Sequence, residues 1–244
     1  MDSQTGMLAG TMKRLLILNC IAAEAPKLAF DSEMAPELGA AFGGAWDVAH
    51  LCGAPAGETL PDGGAYSHLI LSGSELSASD ENPRDDELCA MIRDFVSRGR
   101  RVLGICYGHQ MLARALVDQT CCRKAKTPEF GWKALSLQPD ALFAGIPELV
   151  AVHSHYDEVF DLPAPFRVIA STADCAVQAF AYGELPVWGT QFHPEMTLDL
   201  GTAMLQDNLR TEPRAPELFV DELKRPEQLR WNRVLFQNFF GGAV

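Results

Sequence analysis

The sequence predicts an α/β fold: a mostly parallel central sheet flanked by helices, with a smaller antiparallel or mixed sheet region. Three observations carry this expectation. Up to about residue 120, short apolar runs alternate with segments of helical spacing, the rhythm of a parallel sheet covered on both faces. Those apolar runs are near-continuous, as in strands buried on both sides. From Trp132 onward, strand-like runs follow one another across short turns, which favours antiparallel or mixed pairing.

Residues 1–12, polar and glycine-containing, read as a loose N-terminal tail, and 13–244 as a single domain. RLLILN (14–19) is the first buried strand. Residues 33–44 have helical spacing and run into Gly43-Gly44, a stop signal. Trp46 to Leu51 reads as a second strand, and the Gly/Pro-rich stretch 53–64 as a connection. His68–Leu71 forms a third strand that ends in Ser72-Gly73-Ser74. After a loop at Asp80–Arg84, Asp85–Ser97 places Leu88, Met91, Ile92, Phe95 and Val96 on one side, and Gly99 closes this helix. Val102–Ile105 is a strand, and Met111–Leu116 has a helical pattern. Further strands are expected at Trp132–Gln138, Val150–His153, Phe166–Ser171, Ala176–Tyr182 and Val187–Gln191. Thr197–Arg210 and Glu217–Phe240 are helix-rich, with Pro213 and Pro216 between them. Residues 206–244 are expected as a helical C-terminal extension whose apolar residues pack onto the domain's own sheet.

Composition narrows the function. The net charge is −12, and no basic run or aromatic-interleaved Lys/Arg patch occurs, which argues against nucleic acid as a main partner. The seven cysteines are odd in number, and Cys121-Cys122 are adjacent with no CxxC pair. That pattern suits neither zinc nor a disulfide framework and fits reduced thiols in a cytoplasm. Lys13-Arg14 followed by LLILNCIAAEA imitates an export signal with Ala23 and Ala25 as its cleavage site. Its apolar core is short and interrupted by Asn19, however, and the same residues read as the first strand. No run approaches the roughly 20 apolar residues of a membrane span.

The chemistry concentrates in GICYGHQ (104–110), where a cysteine between glycines joins a strand to a helix. Such a sharp turn needs small neighbours and leaves the Cys106 thiol projecting at the positive end of a helix dipole, an environment that favours thiolate. A thiol nucleophile needs a base, and the base needs an orienter. QFHPE supplies both: in extended backbone His193 and Glu195 point to the same side, about 6.5–7 Å apart at Cα. Backbone donors for a developing oxyanion are expected from the amide of Tyr107 and from the Gly73-Ser74 turn.

Together LSGS (71–74), GICYGHQ (104–110) and GTQFHPE (189–195) resemble the class I, triad-type glutamine amidotransferase domain, over roughly residues 13–205. PEFGW (128–132) and SHYDEV (154–159) look like family loops in the right order. The resemblance implies a flavodoxin-like fold with Cys106 as nucleophile, His193 as general base and acid, and Glu195 as orienter. It places Gln110 on the α-amino or carboxylate end of glutamine, and Ser154-His155-Tyr156 on the same end through the backbone. Glu129 and Trp132 are expected near the pocket. His109, His153 and His155 are expected as packing or loop residues. The implied reaction cleaves a γ-amide through a γ-glutamyl thioester and needs no metal or organic cofactor. The substrate is glutamine or another γ-glutamyl small molecule.

One departure stands out: the family's usual SGGP turn is here Ser72-Gly73-Ser74-Glu75. Position 74 loses the φ > 0 freedom of glycine, which bears on how well the oxyanion hole is preformed. No synthetase domain or GxxxxGK[ST] loop is found in the chain. Three roles stay open: a stand-alone hydrolase of glutamine or γ-glutamyl amides, an ammonia-donating subunit of a separate synthetase, and a catalytically weak binding module.

Overall fold

The structure is a computed structural model that describes residues 13–52 and 59–241. The expected tail at 1–12, and residues 53–58 of the expected connection, lie outside the described residues. In chain order the elements begin with β1 (Arg14–Asn19), α1 (Glu24–Ala29), α2 (Ala35–Phe42), β2 (Ala45–His50), β3 (His68–Leu71), α3 (Asp85–Ser97), β4 (Arg101–Ile105) and α4 (Tyr107–Leu116). There follow β5 (Cys122–Ala134), β6 (Ser136–Leu137), β7 (Val150–Val159), β8 (Phe166–Ser171), β9 (Ala179–Tyr182) and β10 (Val187–Thr190). The C-terminal part holds α5 (Leu198–Thr211), α6 (Ala215–Leu218), β11 (Phe219–Asp221) and α7 (Arg230–Phe239).

Eight strands form the main sheet in the order β2-β1-β3-β4-β10-β9-β8-β6. The pairs from β2 to β10 are parallel, and the remaining three are antiparallel. A second, smaller sheet, β11-β5-β7, combines one parallel and one antiparallel pair. Alternation along β1 divides the core. Leu16 and Leu18 face a cluster with α3 and α4, including Leu88, Phe95, Met111 and Leu112. Leu15 and Ile17 face a cluster with Leu38 and Phe42 of α2 and Leu235, Phe236 and Phe239 of α7. The first part of the run that imitates an export signal is therefore an interior strand of the sheet, and the C-terminal helix covers this same sheet. Among the described residues no helix is long and apolar enough to cross a membrane.

Several elements differ from the sequence expectation. The helix expected at 33–44 starts in effect at Glu24, as α1, a π-helical turn at Phe30–Met34, and α2. Pro36 has no N–H to offer the carbonyl of Ser32 and its ring crowds that carbonyl, so the ladder widens just before it. The strand expected at 132–138 is two strands in two sheets, β5 and β6. PEFGW and SHYDEV are not loops: they lie on β5 and β7, paired antiparallel with Glu129 opposite His155 and Phe130 opposite Ser154. Inside the helix-rich Glu217–Phe240 stretch, Phe219–Asp221 is a strand that pairs with β5 from Phe130 to Trp132. The strand expected from Ala176 begins at Ala179, and its pairing with β8 shifts register between Val168 and Ala170.

Candidate active site

Adjacent parallel strands β4 and β10 run in register, with Ile105 beside Thr190. Their C-terminal ends are therefore level, and each leads directly into one sequence motif. The Cys106 N–H donates to the Thr190 carbonyl at 2.8 Å, and the Gly108 N–H donates to the Ser72 carbonyl at 3.1 Å. These bonds tie the turn after β4 to the ends of β10 and β3. The turn is sharp: Cys106 has φ 50° and ψ −105°, a conformation costly for any residue with a side chain. Its glycines are required by close approach. A Cβ on Gly104 would lie 2.3 Å from the Gly108 carbonyl oxygen, and one on Gly108 would lie 2.5 Å from that of Leu71. The elbow expected from the sequence is thus built, with Tyr107 opening α4, where its N–H belongs to the unpaired first turn of the helix.

His193 reaches the same place from the other strand. Its N–H donates to the Val152 carbonyl at 2.9 Å, which fastens the QFHPE segment to the edge of β7. Its Nδ1 lies 2.7 Å from Glu195 Oε1, and both side chains are buried. Nε2 is buried with no hydrogen-bond partner among the described residues. Burial on its own favours neutral imidazole, but the charges of Glu195 and of a Cys106 thiolate outweigh it and raise the His193 pKa well above its usual value. Glu195 also lines a groove of about 670 Å³ between α2 and α7. Gly73 completes the convergence: a Cβ there would lie 2.9 Å from His193 Cε1 and 3.5 Å from Cys106 Cβ. Glycine is what lets the turn after β3 come this close to the His193 ring.

Ser74 is not among the residues of positive φ, so serine is accommodated there without backbone strain. Its Oγ accepts from the Leu76 N–H at 3.2 Å. Glu75, in place of the family's proline, accepts from the N–H groups of Ala22 and Ala23 and so ties this turn to the start of α1.

The remaining sequence-picked residues divide. The Ser154 carbonyl lies 4.0 Å from Cys106 Sγ, while its hydroxyl accepts from Asn208 Nδ2 of α5 at 2.7 Å. Tyr156 donates its hydroxyl to Glu212. Its neighbour His155 points elsewhere, into a buried cluster centred on Glu129. Gln110 is buried, its Nε2 donating to the Asp157 carbonyl at 3.2 Å and to Gln191 Oε1 at 3.0 Å. Trp132 packs with Val152 and Leu205. His109 and His153 are fully buried, and burial lowers each pKa to about 3.

Sequence reasoning missed the extent of the Glu129 cluster and the place of Gln191. Glu129 accepts from Lys133 Nζ, from Thr172 Oγ1 at 2.8 Å and from Gln178 Nε2, and it lies 3.1 Å from His155 Nε2. Burial would raise its pKa, but the His155 hydrogen bond and Lys133 outweigh it and hold the carboxyl down at about 2. A buried strand position occupied by Glu, paired across to a histidine, is the signal that could have pointed to it. Gln191 lies two positions before His193 in a motif already noticed, with Nε2 3.6 Å from Cys106 Sγ.

Comparison with known proteins bears on this arrangement. Residues 59–211 match the model of the family described as glutamine amidotransferase class-I. The glutamine-hydrolysing GMP synthase subunit of Thermoplasma acidophilum is 36% identical over 130 residues, 52% of this chain and 62% of that protein. That of Saccharolobus solfataricus is 35% identical over 133 residues, covering 54% of this chain and 68% of the relative. The chain spans about half to two thirds of the length of the curated relatives it matches first. In fold it is similar to a glutamine amidotransferase of Methylobacillus flagellatus, with TM-score 0.74 and 22% identity over 96% of each chain. A glutamine amidotransferase of Thermotoga maritima gives TM-score 0.70 and 23% identity over 94% of this chain and 98% of the other.

Proposed function

The chain belongs to the class I glutamine amidotransferase family, and on that premise we propose that it hydrolyses the γ-amide of glutamine, or of another γ-glutamyl amide or peptide, through a thioester on Cys106. One observation carries the proposal: Cys106, His193 and Gly73 converge at three strand ends, with Glu195 on the far nitrogen of His193.

In this mechanism Cys106 Sγ attacks the amide carbonyl carbon and a C–S bond forms. Amide N–H groups of Tyr107 and of the Gly73-Ser74 turn receive the oxyanion. His193 passes a proton to the leaving nitrogen, the C–N bond breaks, and ammonia or an amine departs. Water then gives a proton to His193 and attacks the thioester, releasing glutamate and restoring the thiol side chain. Glu195 holds the imidazole in one tautomer and stabilises its protonated form. In this reading the backbone of Ser154-His155-Tyr156 receives the α-amino or carboxylate end of the substrate. A reducing cytoplasm suits a protein whose seven cysteines are all free.

A second assignment is supported by the relatives. The curated proteins it resembles include glutamine-hydrolysing subunits of GMP synthase, so transfer of the ammonia to a synthetase on another chain is the alternative.

One experiment separates them. Purified protein is given glutamine and a panel of γ-glutamyl amines, and glutamate release is followed with and without Cys106→Ala. Turnover by the protein alone, abolished by Cys106→Ala with an unchanged circular dichroism spectrum, supports the hydrolase. Silence until a synthetase is added supports the ammonia-donating role. Activity retained by Cys106→Ala refutes the mechanism.

A further inference from the structure

Gln191 follows the last residue of β10 and is fully buried. Its N–H donates to the Gln178 carbonyl at 2.7 Å, which pins the backbone. Its side chain touches two groups: Oε1 accepts from Gln110 Nε2 at 3.0 Å, and Nε2 lies 3.6 Å from Cys106 Sγ. A side-chain amide can be turned end for end with almost no change in shape, so something must decide which end meets the sulfur.

A directed chain of hydrogen bonds makes that choice. The backbone carbonyl of Asp157, on β7, can only accept, and it takes the Gln110 NH₂ at 3.2 Å. The same NH₂ also faces the Gln191 amide, which must therefore present its oxygen. The Gln191 NH₂ is left for the sulfur. Polarity passes from a backbone acceptor to the thiol through two buried side chains, and each bond polarises the next. The Ser154 carbonyl, 4.0 Å from the sulfur, can serve only a protonated thiol. The amide of Gln191 serves the thiolate, which accepts far more strongly than a neutral thiol.

Resting on the function proposed above, we propose that Gln191 is a positioning residue for the nucleophile. Its Nε2–H holds and aims the Cys106 thiolate, and Gln110 sets the orientation of that amide from behind.

The test is alkylation of Cys106 by iodoacetamide across pH 5 to 10, with the Cys106 peptide followed by mass spectrometry. It needs no substrate, so it reads this role even if the protein hydrolyses no γ-glutamyl amide. In that case a shifted profile leaves the role standing and the hydrolase reading fallen. Gln191→Met keeps the buried volume but has no N–H. It should move the rate profile up by about one pH unit and slow alkylation at pH 7 about tenfold, the scale of one hydrogen bond to a charged group. Gln110→Met, which frees the Gln191 amide to turn, should shift the profile the same way by less. The profile of the Cys52 peptide should stay where it is in both. A Cys106 profile unmoved in both variants overturns the proposal, even if kcat falls. If Gln191→Met does not fold, an unmoved profile in Gln110→Met overturns it alone.

Discussion

Replacing Glu129 by glutamine removes a buried charge while keeping most of the side chain's shape and one acceptor oxygen. The carboxylate is held at about 2 instead of its usual 4.5 by the hydrogen bonds of His155 and Lys133, against burial. A carboxylate pKa that is lower in the folded chain contributes stability that is present above the unfolded value and lost as pH falls through the folded one. At about 1.36 kcal/mol per unit, this shift is worth roughly 3 kcal/mol at pH 7 and about 2 kcal/mol at pH 3.5. Glu129→Gln should therefore be less stable than the parent, with a gap that narrows by roughly 1 kcal/mol as pH falls from 7 to 3.5. Lys133 keeps Asp174 as a partner in the variant, at 3.1 Å. Changed hydrogen bonds add an offset that does not depend on Glu129 titration, so the slope is the readout. Urea unfolding of both proteins at a series of pH values measures it. Parallel stability curves, with no narrowing of the gap, would refute the idea that this carboxylate is ionised in the fold and held so by its neighbours.

Glu195→Gln should lower kcat for glutamate release by about 10²–10⁴-fold with little change in KM, because the imidazole loses its orienting anion; steady-state kinetics at saturating glutamine reads it. Gly108→Ala forces a Cβ to within 2.5 Å of the Leu71 carbonyl oxygen and should cost several kcal/mol in urea unfolding, about what severe overpacking costs. Ser74→Gly should bring no gain in melting temperature, since Ser74 holds no positive φ to relieve; a rise of several degrees would show strain in the turn. Phe239→Ala removes a fully buried ring from the α7 face of the sheet and should cost about 3–5 kcal/mol, read by the same unfolding assay.

What was legible in the sequence was what local pattern determines. β1, β3 and β8 have the bounds read from their sequence patterns, and α3 those read from its helical spacing; β1, β3 and α3 each bury a stripe within one element. The elbow was legible because glycine on both sides of a cysteine leaves few alternatives. β5 was not, since CRKAKTPEF carries charge and a proline, and its strand character comes from pairing with β7, distant in sequence. β11 has three residues and owes its existence to the partner strand. The polar interior escaped for the same reason. Lys133 joins Glu129 from the same strand, but Thr172 and Gln178 reach it from the connection between β8 and β9, and no spacing along the chain announces them. Gln110, which the resemblance puts on the α-amino or carboxylate end of glutamine, has its amide nitrogen engaged by Asp157 and Gln191. Only the fold could show that.

Gln191 and Cys106 stand 85 positions apart in the chain, yet the rungs between β4 and β10 set them side by side. The intervening residues are therefore not a ruler. The loops between β5 and β9 can lengthen or shorten without altering the reach from sulfur to imidazole, provided β4 and β10 keep step and Val152 and Gln178 keep their bonds to His193 and Gln191. A slip of one residue between those strands would do more harm than many insertions elsewhere, because it would turn one partner's side chains to the opposite face. Variation can thus accumulate in the loops of the long excursion, while Cys106 and Gln191 are kept side by side by four matched rows of backbone.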